Sequence, residues 1–174
     1  MKRILLIVLS VVIALGITAT PFMAQDQLAE FTLWAGQDIN TGSVYITIDG
    51  DTLSIDYGTI DGWEMTETHL YLDTSPPIKS APGRFPYKHE DLGGVTEDRY
   101  IVLLSELGIG PGDTIFVAAQ AALQKLVVDE NGAPILDEDD NPIYDEESGW
   151  AEGDPIRPGK NWAMFFSFDI PADD

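Results

Sequence analysis

The sequence predicts an all-β protein: an antiparallel β-sandwich of immunoglobulin-like or jelly-roll type that carries a protruding acidic β-arm. Three observations predict it. Apolar and polar residues alternate in most segments after residue 30, turn-forming residues separate these segments, and no long helical pattern follows the first 24 residues. Residues 25–174 have the length of a single domain, which can bury a core without disulfides.

The first half of this domain supplies four predicted strands. Residues 31–35 are short and apolar, and residues 43–57 form a β-hairpin around the Asp49-Gly50 turn. Residues 63–73 alternate again, which predicts a fourth strand with one face in the core.

The second half begins with a long connection over residues 74–97, whose Pro and Gly content excludes regular structure throughout. A strand over residues 99–104, a helical turn over 105–108 and a strand over 114–123 follow. The last of these is Ala-rich, but it follows a tight turn and opens with β-branched residues, so a strand is predicted. Residues 161–170 close the chain as a strand with an apolar face.

Residues 1–24 are predicted to be a secretory signal peptide. Lys2 and Arg3 form its positive end, residues 4–17 are apolar except for Ser10, and cleavage is expected after Ala24, with cleavage after Ala19 as the alternative. The apolar run is shorter than the roughly 20 residues that a membrane anchor needs, so no membrane insertion is expected after cleavage. The sequence therefore predicts a protein that is secreted or held at the cell surface.

The net charge of the mature chain indicates which classes of binding partner are favourable. Without Lys2 and Arg3, seven basic residues face 30 acidic ones, a formal charge of −23. Such a charge repels nucleic acid and anionic lipid, and it favours cations, basic partners or solubility in saline surroundings. The chain has no Cys, so it has no disulfide framework.

An acidic near-repeat occupies residues 128–135, 136–143 and 144–149. Each unit opens with one apolar residue followed by an acidic pair. Nine carboxylates lie between Asp129 and Glu147, with no Lys or Arg from residue 126 to residue 156. Carboxylates at this density repel one another unless cations neutralise them. The repeat therefore predicts an arm that binds Ca²⁺, with a solvated acidic arm as the alternative.

The calcium prediction depends on spacing within the second unit. Asp137, Asp139 and Asn141 have the every-second-residue oxygens of a calcium loop, but Pro142 replaces the Gly of an EF-hand and Ser148 replaces its bidentate Glu. The expectation is therefore a looser site. Its candidate ligands are Asp129, Asp137, Asp139, Asp140, Asp145 and Glu147.

Basic residues cluster in the long connection. Lys79, Arg84, Lys88 and His89 are the candidate partner-binding residues. Two arrangements are open: these residues pair with the acidic arm of their own domain, which is the favoured expectation, or they receive the arm of a neighbouring copy and the protein self-associates. A basic protein or a glycan is the other kind of partner considered.

The alternative function is a carbohydrate-binding module of the cell envelope or extracellular matrix. Trp63 and Trp150 each follow a turn glycine, and they are the candidate sugar-stacking residues. Trp34 and Trp162 lie in apolar strands and are expected in the core.

Enzymatic activity has little support, and no catalytic residue is assigned. The sequence lacks a Cys nucleophile, a Gly-x-Ser-x-Gly elbow and a His-Glu-x-x-His helix. Glu67 with His69, and His89 with Glu90 and Asp91, have acid/base residue types, but structural hydrogen bonds are the expected role for both histidines. A hydrolase stays as a third alternative to a binding or structural module.

Several blocks of the chain resemble a family of secreted or cell-surface β-rich domains from bacteria, archaea and some algae. The blocks are ETHLYL (67–72), PGRFPYKHE (82–90), GDTIFVAA (112–119), SGWAEG (148–153) and KNWAMFF (160–166). The resemblance spans most of residues 31–170 and implies an exported β-rich domain without an assigned catalytic residue. The region between the third and fourth blocks varies in that family, which marks the acidic repeat as an addition of this branch.

Overall fold

The computed structural model describes residues 27–172. The predicted signal peptide lies outside the described residues. Among those residues, every helix is too short to cross a lipid bilayer.

Ten strands make up most of the described chain. They are β1 (Gln27–Ala35), β2 (Ile39–Asp49), β3 (Thr52–Thr59), β4 (Trp63–Asp73), β5 (Tyr87–His89), β6 (Glu97–Leu103), β7 (Thr114–Leu126), β8 (Tyr144–Ala151), β9 (Asp154–Pro155) and β10 (Met164–Asp169). A single 3₁₀ turn covers Pro82–Arg84, and a four-residue helix, α1, covers Leu104–Leu107.

The ten strands join one antiparallel sheet. Eight of them follow the order β5-β4-β7-β8-β1-β2-β3-β6, while β10 pairs with the start of β7 and β9 pairs with β10. The sheet curls into a half-barrel, so the prediction of an antiparallel all-β protein is confirmed. The separate sheets of a sandwich are not confirmed, because the hydrogen-bonded strand order is continuous.

The two ends of the strand order approach each other. Met65 of β4 exchanges backbone hydrogen bonds with Val95, just before β6, at 2.7 and 3.0 Å. The backbone N–H of Thr59, at the end of β3, donates to the carbonyl of Thr96 at 2.9 Å. These contacts satisfy backbone groups that an open sheet edge would leave to solvent.

The main core fills the inside of the curled sheet. In β2, Val44 and Ile46 are buried between half-buried neighbours, whereas residues 53–57 of β3 are all buried. Cross-strand partners such as Ile46 and Ile55 pack on the same face. Each fully buried Leu, Ile or Val side chain stabilises the fold by about 1.5–3 kcal/mol relative to an exposed one. The largest fully buried side chains are Tyr57, Leu33, Ile46, Leu53, Ile55, Met65, Leu70, Ile115 and Leu123.

A second apolar cluster covers the outer face of the sheet at β4, β7 and β8. The connections 74–86 and 152–163 fold over this face and bring Phe85 and Ala163 against Ala118 and Trp150. Phe85 and Trp150 meet edge to face, with ring centroids 6.1 Å apart. The long Pro- and Gly-rich connection is therefore anchored by apolar contacts, although it has little regular structure.

Candidate functional site

The connection between β7 and β8, residues 127–143, is called the acidic loop. Its repeat folds as three backbone segments joined by a closed ring of hydrogen bonds. The N–H of Val127 donates to the carbonyl of Ile143 at 3.0 Å, that of Ile143 to Ile135 at 2.9 Å, and that of Ile135 to Val127 at 2.9 Å. These three residues are eight positions apart in sequence, so the ring follows the period of the repeat.

The first Asp of each of the first two repeat units fixes a turn. Oδ1 of Asp129 accepts the backbone N–H groups two and four residues later at 2.8 and 2.9 Å, and Oδ1 of Asp137 accepts the corresponding pair at 2.9 Å each. Because these donors favour the ionised form, they hold the pKa of both carboxyl groups below the ordinary value. The two aspartates therefore act as turn caps within the loop.

The remaining turn chemistry also repeats. Gly132 and Asp140 occupy equivalent positions, and both have a left-handed backbone, with φ of 81° and 62°. Asp and Gly are among the residues that tolerate this region. Turns are thus present at Asn131-Gly132 and at Asp140-Asn141, and the loop has one repeated local geometry.

The acidic loop presents carboxylates together with apolar side chains. Glu130, Glu138 and Asp139 are exposed, and no ion pair joins any residue of the loop to a basic side chain within residues 27–172. The apolar residues of the repeat are also more than a third exposed: Val128 (47%), Leu136 (48%), Ile135, Ile143 and Tyr144. The loop surface therefore combines dense negative charge with apolar contacts.

The predicted calcium ligands are spread over three places. Asp137, Asp139 and Asp140 lie in one turn, Asp129 lies in the preceding turn, and Asp145 and Glu147 lie on β8. One oxygen of each capping aspartate is already occupied by backbone donors. Within the described chain, no three Asp, Glu or His residues stand close enough together to hold a metal ion.

A cationic surface lies on the connections that cover the outer face, and it is called the basic end. Its members, Lys79, Arg84, Arg157 and Lys160, are exposed and make up four of the seven basic residues after position 26. No ion pair joins these four to a carboxylate in the described structure, including the nearby Asp73, Glu152 and Asp154.

Hydrogen bonds hold the basic end together. The Arg157 guanidinium donates to the carbonyl of Ile78 at 3.1 and 3.2 Å, and the side chain of Asn161 donates to the Ser80 hydroxyl at 2.7 Å. These contacts place Lys79 close to the segment that carries Arg157 and Lys160. The basic end is therefore built by two connections, not by one cationic loop.

The acidic loop and the basic end lie towards opposite ends of β7. Ala118 packs beneath the basic end, and Leu126 precedes the acidic loop. The eight steps along the strand from Ala118 to Leu126 span about 27 Å in an extended conformation. The expectation that the basic residues pair with the acidic arm of their own domain is therefore wrong, since β7 separates the two surfaces.

The other two predicted partner-binding residues have partners within the domain. Lys88 lies 3.1 Å from Glu90. His89 Nδ1 lies 2.9 Å from Oδ2 of Asp98, so its carboxylate partner is on β6 and is neither Glu90 nor Asp91. His89 therefore joins two strands, whereas Lys88 pairs on the surface with a residue two positions away.

The contact between His89 and Asp98 belongs to a polar cluster that joins the edges of the sheet. Thr68 donates its hydroxyl to Asp98, the Tyr100 hydroxyl donates to the carbonyl of Thr68 at 2.9 Å, and the His89 ring stacks on Tyr100 with centroids 4.3 Å apart. Burial, opposed by the Thr68 hydrogen bond and assisted by the Asp98 charge, raises the pKa of Tyr100 to about 12.

A second polar chain runs across the outer face of β4, β7 and β8. The Gln120 amide donates to the Ser148 hydroxyl at 3.1 Å, and its carbonyl oxygen lies 2.8 Å from Nδ1 of His69. Nε2 of His69 lies 3.8 Å from the Glu67 carboxylate. Because the amide carbonyl is an acceptor, Nδ1 of His69 carries the proton in this arrangement. The chain satisfies the buried polar atoms of His69 and Gln120.

The two candidate sugar-stacking residues are both buried. Trp63 is 6% exposed and belongs to the main core, and Trp150 is 4% exposed beneath Phe85. The prediction that their rings face solvent is wrong, because Trp63 packs inside the curled sheet and Phe85, from the connection 74–86, covers Trp150. Neither ring offers a face for a sugar in this structure.

A cavity of about 560 Å³ opens at the end of the half-barrel beside the hairpin turn of β2 and β3. Among the described residues that line it, the acidic one is Asp51, which accepts hydrogen bonds from the N–H and hydroxyl of Ser105. The other lining residues are mostly apolar or glycine, and no second titratable side chain faces Asp51 among those that line the cavity.

Sequence reasoning missed several features of these sites. Asp98, Tyr100 and Gln120 become polar partners only when strands distant in sequence pair, and no local motif marks them. Arg157 and Lys160 are separated from Lys79 by about half of the chain, and only tertiary contacts bring them to the same surface. A signal that was available is the eight-residue period itself, which predicts that equivalent positions share one backbone geometry.

Scans against family models, curated proteins and solved structures found no match for this chain, so its resemblance to exported β-rich domains stays a prediction.

Proposed function

We propose that this protein is an exported binding module, secreted or held at the cell surface, whose acidic loop binds a basic partner. We also propose that the loop projects from the sheet as an arm. The observation that carries the proposal is an ordered loop that presents carboxylates and apolar side chains without an ion-pair partner in the described chain. The export step rests on the predicted signal peptide.

Preorganisation is the physical basis of this proposal. A flexible acidic segment loses conformational entropy when it binds, and that loss weakens binding. In the acidic loop, three backbone hydrogen bonds and two aspartate caps already fix the chain. The carboxylates that take no part in capping, such as Glu130 and Glu138, are therefore held in place for a partner, and their charge accelerates its approach at low salt.

The test is the binding of a short peptide that alternates arginine and leucine, measured by calorimetry at low and high salt. The structure predicts binding that weakens as salt screens the charges. Glu130→Gln with Glu138→Gln should weaken binding, because both carboxylates are exposed and neither caps a turn. The matched control, Asp38→Asn with Glu106→Gln, removes two exposed charges elsewhere and should leave binding unchanged.

Two outcomes contradict the proposal. Equal weakening by the control pair would show that net charge, and not the acidic loop, attracts the peptide. A calcium-specific rise in melting temperature, absent with magnesium and lost in Asp137→Asn with Asp139→Asn, would make a metal ion the ligand of the loop instead.

A further inference from the structure

We propose that the basic partner is the basic end of a second copy of this protein, so that copies join head to tail. This inference rests on the proposed function and names its partner. The two surfaces are complementary in charge: the acidic loop carries six carboxylates, and the basic end carries four cationic side chains that form no ion pair within residues 27–172.

Both surfaces also carry exposed apolar side chains. Ile78 is 77% exposed, the highest value among the large apolar side chains that the structure describes as exposed. It precedes Lys79 in the basic end, and its carbonyl accepts hydrogen bonds from Arg157. The acidic loop offers Val128 and Leu136, each nearly half exposed. Docking would bury these side chains from both surfaces, which gives the contact a hydrophobic contribution in addition to charge.

The geometry selects a second copy as the partner. A single chain cannot join its own two surfaces, because β7 holds them apart. Two different patches that meet between copies form a heterologous contact, which leaves one acidic loop and one basic end free after each step. Unless the rotation between copies closes a ring, the product is a chain of copies.

The edges of the sheet offer a less favourable route to assembly. The edge strands β5 and β6 face each other through His89 and Asp98, and a backbone bridge joins Met65 to Val95. Pairing of edge strands between copies would require these contacts to open. The charged surfaces at the two ends of β7 require no such opening.

The test uses two variants that are each defective on one surface. The loop variant carries Glu130→Gln, Glu138→Gln, Asp139→Asn and Asp140→Asn, and it keeps both aspartate caps. The end variant carries the substitutions Lys79→Gln, Arg84→Gln and Lys160→Gln. It keeps Arg157, because the guanidinium of that residue holds the Ile78 carbonyl.

Sedimentation velocity at low salt should show concentration-dependent chains of the wild type that dissociate at high salt. Each variant alone should be monomeric. An equimolar mixture of the two should form a dimer and stop there, because only one intact acidic loop and one intact basic end are present. Circular dichroism of each variant checks that the fold is retained.

The inference is overturned if the wild type stays monomeric at every concentration, or if the mixed variants do not associate when the wild type does. A monomeric wild type that still binds the arginine–leucine peptide would retain the proposed function and reject only self-assembly. Loss of peptide binding in the end variant would reject the assignment of the acidic loop as the binding surface.

Discussion

The imidazole of His89 lies 2.9 Å from the carboxylate of Asp98, and this pair connects the two edge strands of the curled sheet. His89 belongs to the three-residue strand β5, and Asp98 belongs to β6 at the other end of the strand order. The His89 ring also stacks on the ring of Tyr100, which helps to fix the position of the imidazole. The half-barrel is therefore closed by side chains where its backbone ladder ends.

The first prediction concerns this closure. His89→Ala should lower the free energy of unfolding by about 1 kcal/mol, since it removes a hydrogen bond to a charged group at a half-exposed site. His89→Phe retains the stacked ring on Tyr100 and removes the hydrogen bond, so it should recover part of the loss. Urea unfolding of the three proteins measures both effects. If His89→Ala unfolds at the same urea concentration as the wild type, the pair does not hold the edges together.

The second prediction concerns alkaline pH. Because the pKa of Tyr100 is raised to about 12, the folded state holds this proton more tightly than the unfolded chain, whose ordinary value is 10.0. The resulting stability is complete below pH 10 and is lost as the pH rises towards 12. Tyr100→Phe should cost about 1–3 kcal/mol at neutral pH, because it leaves the Thr68 carbonyl without its donor.

The measurement is urea unfolding at several pH values between 9 and 12, with tyrosinate absorbance followed in parallel. Tyr100→Phe should reduce the alkaline loss of stability. Tyr57 also has a pKa well above its ordinary value because of burial, so part of the loss should persist in the variant. An alkaline profile identical to that of the wild type would contradict the assignment to Tyr100.

Local sequence signals predicted the strands well and the polar clusters poorly. β4 has the bounds that alternation predicts, and β7 is a strand although Ala-rich residues 117–123 favour a helix by propensity. Long-range pairing decides β7, because β4 lies along one side of it and β8 and β10 lie along the other. Its helix propensity is overridden by these backbone hydrogen bonds and by burial of Val117, Ala119 and Ala121.

The same limitation explains the errors at the candidate sites. A turn glycine before Trp150 suggests exposure, but the connection that buries the ring comes from residues 74–86, more than sixty residues earlier. His89 has acidic neighbours in sequence, yet the partner that β6 places beside it is Asp98. The acidic repeat is the exception. Its turns could be read from sequence because their hydrogen bonds are local.

The third prediction concerns an ion pair on the outer face of β3 and β6, in which the carboxylate of Asp56 is buried and the side chain of Arg99 is exposed. Asp56 is buried and bonded to Arg99, and its Oδ2 has no hydrogen-bond partner in the described structure. Burial raises its pKa, although Arg99 acts in the opposite direction. Arg99→Met should destabilise the fold by about 1–3 kcal/mol at neutral pH, because the buried carboxylate of Asp56 loses its charged hydrogen-bond donor.

The effect of Arg99→Met should depend on pH. The pKa of Asp56 is higher in the folded state than its ordinary value of 3.8. Its contribution to stability is therefore largest below pH 3.8 and is lost as the pH rises through the pKa of the folded state. The variant should therefore approach the stability of the wild type as the pH is lowered towards 4. Asp56→Asn combined with Arg99→Met should recover stability at neutral pH. A pH-independent loss that the double variant does not reverse would contradict the ion-pair explanation.

The last prediction concerns the aspartate caps of the acidic loop. The caps of Asp129 and Asp137 use the same atoms at the same spacing, so their substitution should have the same local effect. Asp129→Ala should increase hydrogen exchange at the amides of Asn131 and Ala133, which lose their acceptor. Asp129→Asn retains an acceptor oxygen, so both amides should exchange more slowly in this variant than in Asp129→Ala. The control Glu130→Gln should leave exchange at both amides unchanged.

The pH dependence of this exchange follows from the lowered pKa of the caps. A lowered value means that the caps stabilise the loop above the ordinary pKa of 3.8 and lose this effect as the pH falls through the folded value. After correction for the intrinsic exchange rates, protection of the capped amides should therefore fall only at acidic pH. Asp129→Asn should remove this pH dependence in the first repeat unit alone. Because the ring of backbone hydrogen bonds joins all three segments, a simultaneous loss in the second unit would show that the loop opens as one unit and that the caps are not independent.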